Sequence, residues 1–203
     1  MNDAPASDAA WVAVDTPLSA ADLRAFCDDV ERLLRINSMF EFLEWRPLGS
    51  GAYFMKVRNL SNGRTIETSF RVERGEDRVR LTYDSGLKTA TVLRVEPTGA
   101  SARLIVTDDY SGTPEAERRA RIDEIDRSLV HWGHDLHRYL RHWRRWSGWR
   151  PWRWYMRRVW QPMKPTARRI TFIIIAITVF ELIAAFAAIV IFALGWEKYF
   201  QQL

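Results

Sequence analysis

The hydrophobic positions of this chain change period three times. Residues 1–9 carry no periodic pattern and predict a disordered lead, and Trp11 to Asp15 then reads as a short strand. Behind Ser19, whose hydroxyl can cap a helix, Leu23, Phe26, Val30, Leu33 and Leu34 fall on one stripe and predict a helix from Ala20 to about Leu34, with a second short helix or turn near Asn37. The pattern then alternates. Phe40–Arg46, Ala52–Asn59, Thr65–Arg74, Arg78–Tyr83, Thr89–Glu96 and Ala102–Asp109 predict six strands in succession. Gly49-Ser50-Gly51, Ser61-Asn62-Gly63, Gly75-Glu76-Asp77, Asp84-Ser85-Gly86 and Thr98-Gly99-Ala100 join them, and connections this short require antiparallel neighbours.

Alternation assigns one apolar face. Tyr53, Met55 and Val57, then Ile66, Phe70 and Val72, then Val79, Leu81 and Tyr83 share a side, continued by Leu93, Val95, Leu104 and Val106. Glu67, Arg71, Glu73, Arg78, Arg80, Arg94 and Arg103 interleave on the other, as in a sheet covered on one face only. The cover is a long helix after Pro114, beginning in a charged Glu115–Arg127 segment and running toward Trp143. Ile125, Leu129, Trp132, Leu136, Leu140 and Trp143 keep helical spacing on it, with Gly133 at the edge of the stripe, where it permits close approach to the sheet or leaves room for something else.

The last change removes the period altogether. Thr171 to Trp196 is one apolar run broken only by Glu181. As a helix it would extend about 39 Å, against a hydrocarbon core of about 30 Å. A single C-terminal membrane-spanning helix is therefore expected over residues 171–196, with 197–203 as a short tail.

Charge refines this. The formal net charge is +5, yet residues 1–136 carry 18 Lys and Arg against 23 Asp and Glu, so the cationic excess lies beside the apolar run. Lys and Arg collect on the cytoplasmic side of a span, which predicts a cytoplasmic N-terminal domain. The acidic, Ala-rich start does not resemble a secretory signal, and the Arg- and Ala-rich composition suggests a bacterial inner membrane. The lone Cys27 excludes an intrachain disulfide.

Between helix and span, over residues 146–170, lies an interface linker whose pattern begins at the end of the helix. Trp143, Arg144, Arg145, Trp146, Trp149, Arg150, Trp152, Arg153, Trp154, Arg157, Arg158 and Trp160 combine indole rings with guanidinium groups, the chemistry of an anionic headgroup layer. Single-stranded nucleic acid uses the same stacking and charge, but the position before a membrane span favours lipid. Ser147-Gly148 and Pro151 predict a bend. Within the span, Glu181 is costly unless protonated, paired or hydrated. Thr178, Ala184, Ala185 and Ala188 share its face and would let another helix approach, in a homo-oligomer or a membrane complex; a protonated acid tolerated in lipid is the alternative.

Other chemistry finds little footing. His131, His134 and His137 step by three residues and fan across a helix face, so with His142 they make no metal site. No nucleophile elbow, phosphate-binding glycine loop or zinc-protease motif is present. Asp108-Asp109, at a strand end before Ser111-Gly112, reads as turn chemistry. No cofactor is expected.

The element order over residues 10–145 resembles the START-like helix-grip superfamily, which includes the SRPBCC and polyketide cyclase-like proteins. WVAVDTPLSAADLRAFCDDVERLLRIN resembles its opening strand and helix, and LEWRPLGSGAYFMKVRN its second and third strands. The resemblance implies an α+β fold, a curved antiparallel sheet gripping a long C-terminal helix around a cavity for a lipid, quinone, isoprenoid or other apolar ligand. Tyr53, Met55, Phe70, Leu81, Tyr83, Trp132 and Leu136 are the candidates to line it, or they fill the core. A START-like domain followed by one membrane helix also resembles the carbon monoxide dehydrogenase G-subunit family, implicated in handling quinone near a membrane; here Leu34-Arg35-Ile36-Asn37 stands where an Ile-Pro-Gly-type segment would be sought. The expected function is handling of an apolar ligand at the cytoplasmic membrane surface. The alternative is a non-catalytic accessory subunit of a membrane complex, and an enzyme acting on a polyketide-like or lipid substrate is a third reading.

Overall fold

The computed structural model describes residues 8–116 and 122–193, with 122–127 described as backbone alone. The chain divides into two compact units, Met1–Pro162 and Met163–Leu203. In the first, β1 (Ala9–Thr16) leads into α1 (Ala20–Cys27) and α2 (Val30–Arg35). The meander follows as β2 (Phe40–Gly49), β3 (Ala52–Asn59), β4 (Thr65–Arg74), β5 (Arg78–Tyr83), β6 (Ala90–Thr98) and β7 (Ser101–Asp109). α3 (Ile122–Trp146), α4 (Arg150–Tyr155) and a π-helical turn over Met156–Trp160 complete the unit.

The sheet has seven antiparallel strands in the order β1-β7-β6-β5-β4-β3-β2. β1 closes onto the last strand, with Val14 opposite Leu104. The register slips between Phe42 and Glu44 and again between Pro47 and Gly49, which bends β2 and curves that end of the sheet. Leu43, the residue the first slip leaves over, is exposed. The β2–β3 turn runs through left-handed backbone at Gly49, Ser50 and Gly51 (φ 90°, 50° and 74°), and a Cβ on Gly51 would meet the Val72 carbonyl oxygen at 3.2 Å.

One expected helix is two. The stripe from Leu23 to Leu34 is buried as its spacing predicts, but α1 stops at Cys27 and α2 restarts after Asp29, whose carboxylate accepts from the Arg32 amide at 3.2 Å. A carboxylate that captures a backbone N–H starts a new helix instead of continuing the old one.

The apolar face of the sheet and α3 enclose the core. Met55, Val57, Phe70, Val72, Leu81, Leu93, Leu104 and Val106 meet Leu129, Trp132, Leu136 and Leu140 of α3. The side chain of Ile125 lies outside the described residues. Gly133 lies against β1: a Cβ there would stand 2.8 Å from a methyl of Val12. The segment after α3 bends at Ser147-Gly148, and Pro151 sits in the first turn of α4, where its missing N–H costs nothing.

The second unit contains α5 (Pro165–Ala193), mean hydropathy 2.8 in its most apolar stretch. Among the described residues it is one helix long and apolar enough to cross a membrane. Thr178, Glu181, Ala184, Ala185 and Ala188 are all exposed on it. The end of the expected span and the tail, 194–203, lie outside the described residues, as does most of the lead, although Ala9 already pairs in β1.

Candidate functional site

A cavity of about 80 Å³ lies between the sheet and α3. Its position follows from what the strands present at one end of the inner face. Along β3 the inner positions run Met55, Val57, Asn59; along β4, Ile66, Thr68, Phe70; along β6, Thr91, Leu93, Val95; along β7, Leu104, Val106, Asp108. Asn59, Thr68, Thr91 and Asp108 are all buried. Antiparallel pairing gathers these polar residues at a single end, where Thr91 stands opposite Asp108. The other end is apolar, with Val72, Val79, Val95 and Leu104 buried.

Met55, Ile66, Leu34, Phe40 and Trp132 of α3 are the large apolar side chains that line the cavity, and Asn37 and Asn59 line it beside them. Thr68, Tyr83, Lys88 and Tyr110 form the polar wall. Ser85 and Gly86, in the β5–β6 loop, also line it and are exposed, so the loop forms the rim. That loop is anchored: the Thr68 hydroxyl donates to the Ser85 carbonyl at 2.8 Å, and the Thr113 hydroxyl to the Leu87 carbonyl at 2.7 Å.

Behind the polar wall lies a buried ionic network. Lys88 pairs with Asp108, whose side chain is 0% exposed. The Thr91 hydroxyl donates to the other carboxylate oxygen at 2.6 Å, and the Tyr110 hydroxyl reaches Asp108 at 3.4 Å. Tyr83 and Thr91 share a hydrogen bond of 3.2 Å. Thr91 has one proton and spends it on Asp108, so Tyr83 is the donor in that contact. Burial, and then the negative charge of Asp108, push the Tyr83 phenol well above its ordinary range, which keeps it a neutral donor. The Lys88 ammonium also lies 6.0 Å from the centre of the Trp132 ring.

Among the residues proposed from sequence to line a cavity, Met55, Tyr83 and Trp132 do so. Phe70, Leu81 and Leu136 are buried in the filled part of the core, and Tyr53 stacks on Phe70 with 5.6 Å between ring centres. Lys88 lines the cavity with Asp108 paired behind it; the sequence pattern assigns Lys88 no role and places Asp108 in a turn. Asp109 has the turn role its position suggests, accepting from the Ser111 amide at 2.9 Å, but Asp108 does not. The signal for Asp108 was alternation: it continues Leu104 and Val106 on the inner face.

The Trp/Arg segment is split by the fold. Trp143, Trp152 and Trp160 pack against the core, and Met156 is buried between them. They extend a cage around Arg32, which is 3% exposed. The Arg32 guanidinium lies 3.7 Å from the Trp143 ring centre, 4.9 Å from Phe26 and 5.3 Å from Tyr139, and its Nε donates to the Tyr139 hydroxyl at 3.0 Å. Its Nη2 is buried without a hydrogen-bond partner, and burial holds its pKa below the ordinary value. Trp146, Trp149 and Trp154 are the outward-facing members, the last two 60% and 62% exposed. Arg144, Arg145, Arg150, Arg153, Arg157 and Arg158 are exposed with them. An open groove on the outer side of α3, flanked by Pro17, is lined by His134, His137, Arg138, Arg141 and His142, together with Arg144 and Arg145. Two of the histidines there are engaged with backbone: His137 Nδ1 contacts the Asp15 carbonyl and His142 Nδ1 the Arg138 carbonyl, each at 2.8 Å. Asp135, on the same helix as His131, accepts from the Ser38 amide at 2.8 Å.

A curved antiparallel sheet wrapped on one long helix is a helix-grip fold, and solved structures share it. The Zhui aromatase/cyclase from Streptomyces sp. R1128 aligns at a TM-score of 0.54 and 15% identity, over 69% of this chain and 97% of that one. A protein from Rhodobacter sphaeroides aligns at 0.50 and 18% identity, over 68% of this chain and 94% of that one. These likenesses establish the fold and nothing finer. No protein-family model matches the sequence, and no curated protein does.

Proposed function

We propose that this chain is a membrane-tethered helix-grip protein that binds or handles an apolar ligand at the cytoplasmic surface of a membrane. The observation that carries the reading is the cavity between the sheet and α3, lined by large apolar side chains with polar groups among them and rimmed by an exposed loop. Its fold is shared with an aromatase/cyclase. At about 80 Å³ the cavity accommodates a head or a single ring, smaller than the roughly 300–1,000 Å³ of drug-sized sites. A longer ligand enters by separation of α3 from the sheet edge, and its tail extends past the Ser85-Gly86 rim. α5 supplies the tether, and the exposed Trp146, Trp149 and Trp154 with their arginines supply contact with anionic headgroups.

The test is to fill the cavity. Ser128 lines it from α3 and is half-buried, so Ser128→Trp places an indole in the space while leaving the sheet intact. Full-length wild type and variant, purified from the same cells into lipid nanodiscs, are denatured and extracted with organic solvent. A compound enriched with wild type and absent from the variant supports ligand handling. Identical extracts contradict it.

A second reading, an accessory subunit of a membrane complex, draws on Glu181 among the small residues of α5. Glu181→Leu would then abolish co-purification of a partner protein while leaving the extracted compound unchanged.

A further inference from the structure

We infer that Lys88 is the recognition residue of the cavity and that it selects neutral apolar molecules bearing a carbonyl oxygen, such as a ketone, quinone or ester, over both hydrocarbons and carboxylates. This rests on the cavity reading above and names the ligand class for it.

Lys88 lines the cavity while its ammonium pairs with the fully buried Asp108 behind it. An ammonium has three N–H donors, and among the described residues Asp108 is the acceptor it reaches. The remaining donors belong on the cavity side, where Tyr83, Thr68 and Tyr110 keep the wall polar and Met55, Ile66 and Trp132 face them. Three neighbouring hydroxyls donate elsewhere. Thr91 donates to Asp108, Tyr83 to Thr91, and Thr68 to the Ser85 carbonyl. Lys88 is therefore the charged donor among the lining residues, and an oxygen acceptor at the ligand head is its complement.

Charge decides between acceptors. The Lys88 and Asp108 pair is neutral as a unit. A carboxylate head would add a second negative charge beside Asp108 with a single lysine to balance both, in a space too small to hydrate it well. A carbonyl oxygen accepts the same hydrogen bond without that cost. A hydrocarbon head leaves the donor without a partner and forfeits discrimination.

The experiment uses the full chain in lipid nanodiscs and three probes of matched size, 4-fluoroacetophenone, 4-fluoroethylbenzene and 4-fluorobenzoate, titrated by fluorine NMR. Empty nanodiscs set the partition background. Wild type is expected to bind the ketone most tightly. Lys88→Met is expected to weaken the ketone by at least about tenfold, the size of one charge-assisted hydrogen bond, and to leave the ethylbenzene unchanged. Because Lys88→Met strands a buried carboxylate, Lys88→Met/Asp108→Asn is measured beside it. The asparagine still accepts from Thr91, and a variant that keeps the hydrocarbon but loses the ketone gives the same support. Equal binding of ketone and hydrocarbon to wild type, unmoved by either variant, overturns the role of Lys88 and leaves the cavity standing. Tightest binding of the benzoate overturns the neutral class. Failure of all three probes to bind wild type overturns the cavity reading itself, and this inference with it.

Discussion

Asp108 shows how one side chain shapes this molecule. A carboxylate with no solvent contact is tolerated because Lys88, Thr91 and Tyr110 all approach it, and removing its counter-charge should be far worse than removing both charges. Lys88→Met is expected to lower the unfolding free energy by about 3 kcal/mol, and the double variant with Asp108→Asn to recover most of that loss; urea denaturation of both in the same detergent measures the difference. Cys27 gives a second residue-level outcome. Burial, followed by the nearby Asp28 carboxylate, pushes its thiol from an ordinary value of 9.0 to about 12. The folded chain should resist maleimide at pH 8, and labelling should follow unfolding. The linkage has a definite sign. Above pH 9.0 the unfolded thiol loses its proton while the folded one keeps it, so this contribution to stability is whole below pH 9.0 and declines as pH rises toward 12. Gly133 tests the contact of α3 with β1. The Cβ of Gly133→Ala would approach Val12 at 2.8 Å, against a helix-propensity gain of about 1 kcal/mol, and the two nearly cancel. Gly133→Leu has no such offset in size and should cost about 1–3 kcal/mol in the same denaturation.

At the scale of elements, much was legible because two local signals agreed. β3, β4 and β5 run over Ala52–Asn59, Thr65–Arg74 and Arg78–Tyr83, the bounds their alternation and glycine turns predict. The break between α1 and α2 was not legible, because Val30, Leu33 and Leu34 stay in phase with Leu23 and Phe26 across it; only the capping geometry of Asp29 reveals it. Asp29→Ala is expected to cost about 1 kcal/mol by the same measurement. The division of the tryptophans was illegible for another reason. Which of them turn inward depends on the bend after Trp146, which returns Trp152 and Trp160 to the side of α3 carrying Tyr139 and Trp143. Their spacing in sequence does not encode that return. The buried cation that receives them, Arg32, was equally hidden in a helix pattern that accommodates arginine anywhere. Arg32→Ala should therefore loosen the segment as well as α2, with a fall in stability of about 2 kcal/mol and a change in tryptophan emission before the main unfolding transition.

For the whole molecule, two properties meet in one chain: a helix-grip cavity in the first unit and a helix in the second that is long and apolar enough to cross a membrane. The proposed tether predicts that the protein stays in the pellet after alkaline carbonate washing, and that removal of residues 163–203 releases it. The cavity position was legible only as far as the fold. Met55, Tyr83 and Trp132 line it as their inward spacing allowed, whereas Phe70, Leu81 and Leu136 carry the same spacing and fill the core, because a vacancy is set by the sum of neighbouring volumes. The central claim is that this space holds an apolar molecule. Native mass spectrometry of the full-length protein, released gently from its own membrane, tests it most directly. A stoichiometric added mass that survives stripping of bulk lipid, and that is lost from Ser128→Trp, is the predicted result. A wild-type protein that flies at its bare sequence mass beside an identical variant would contradict the account.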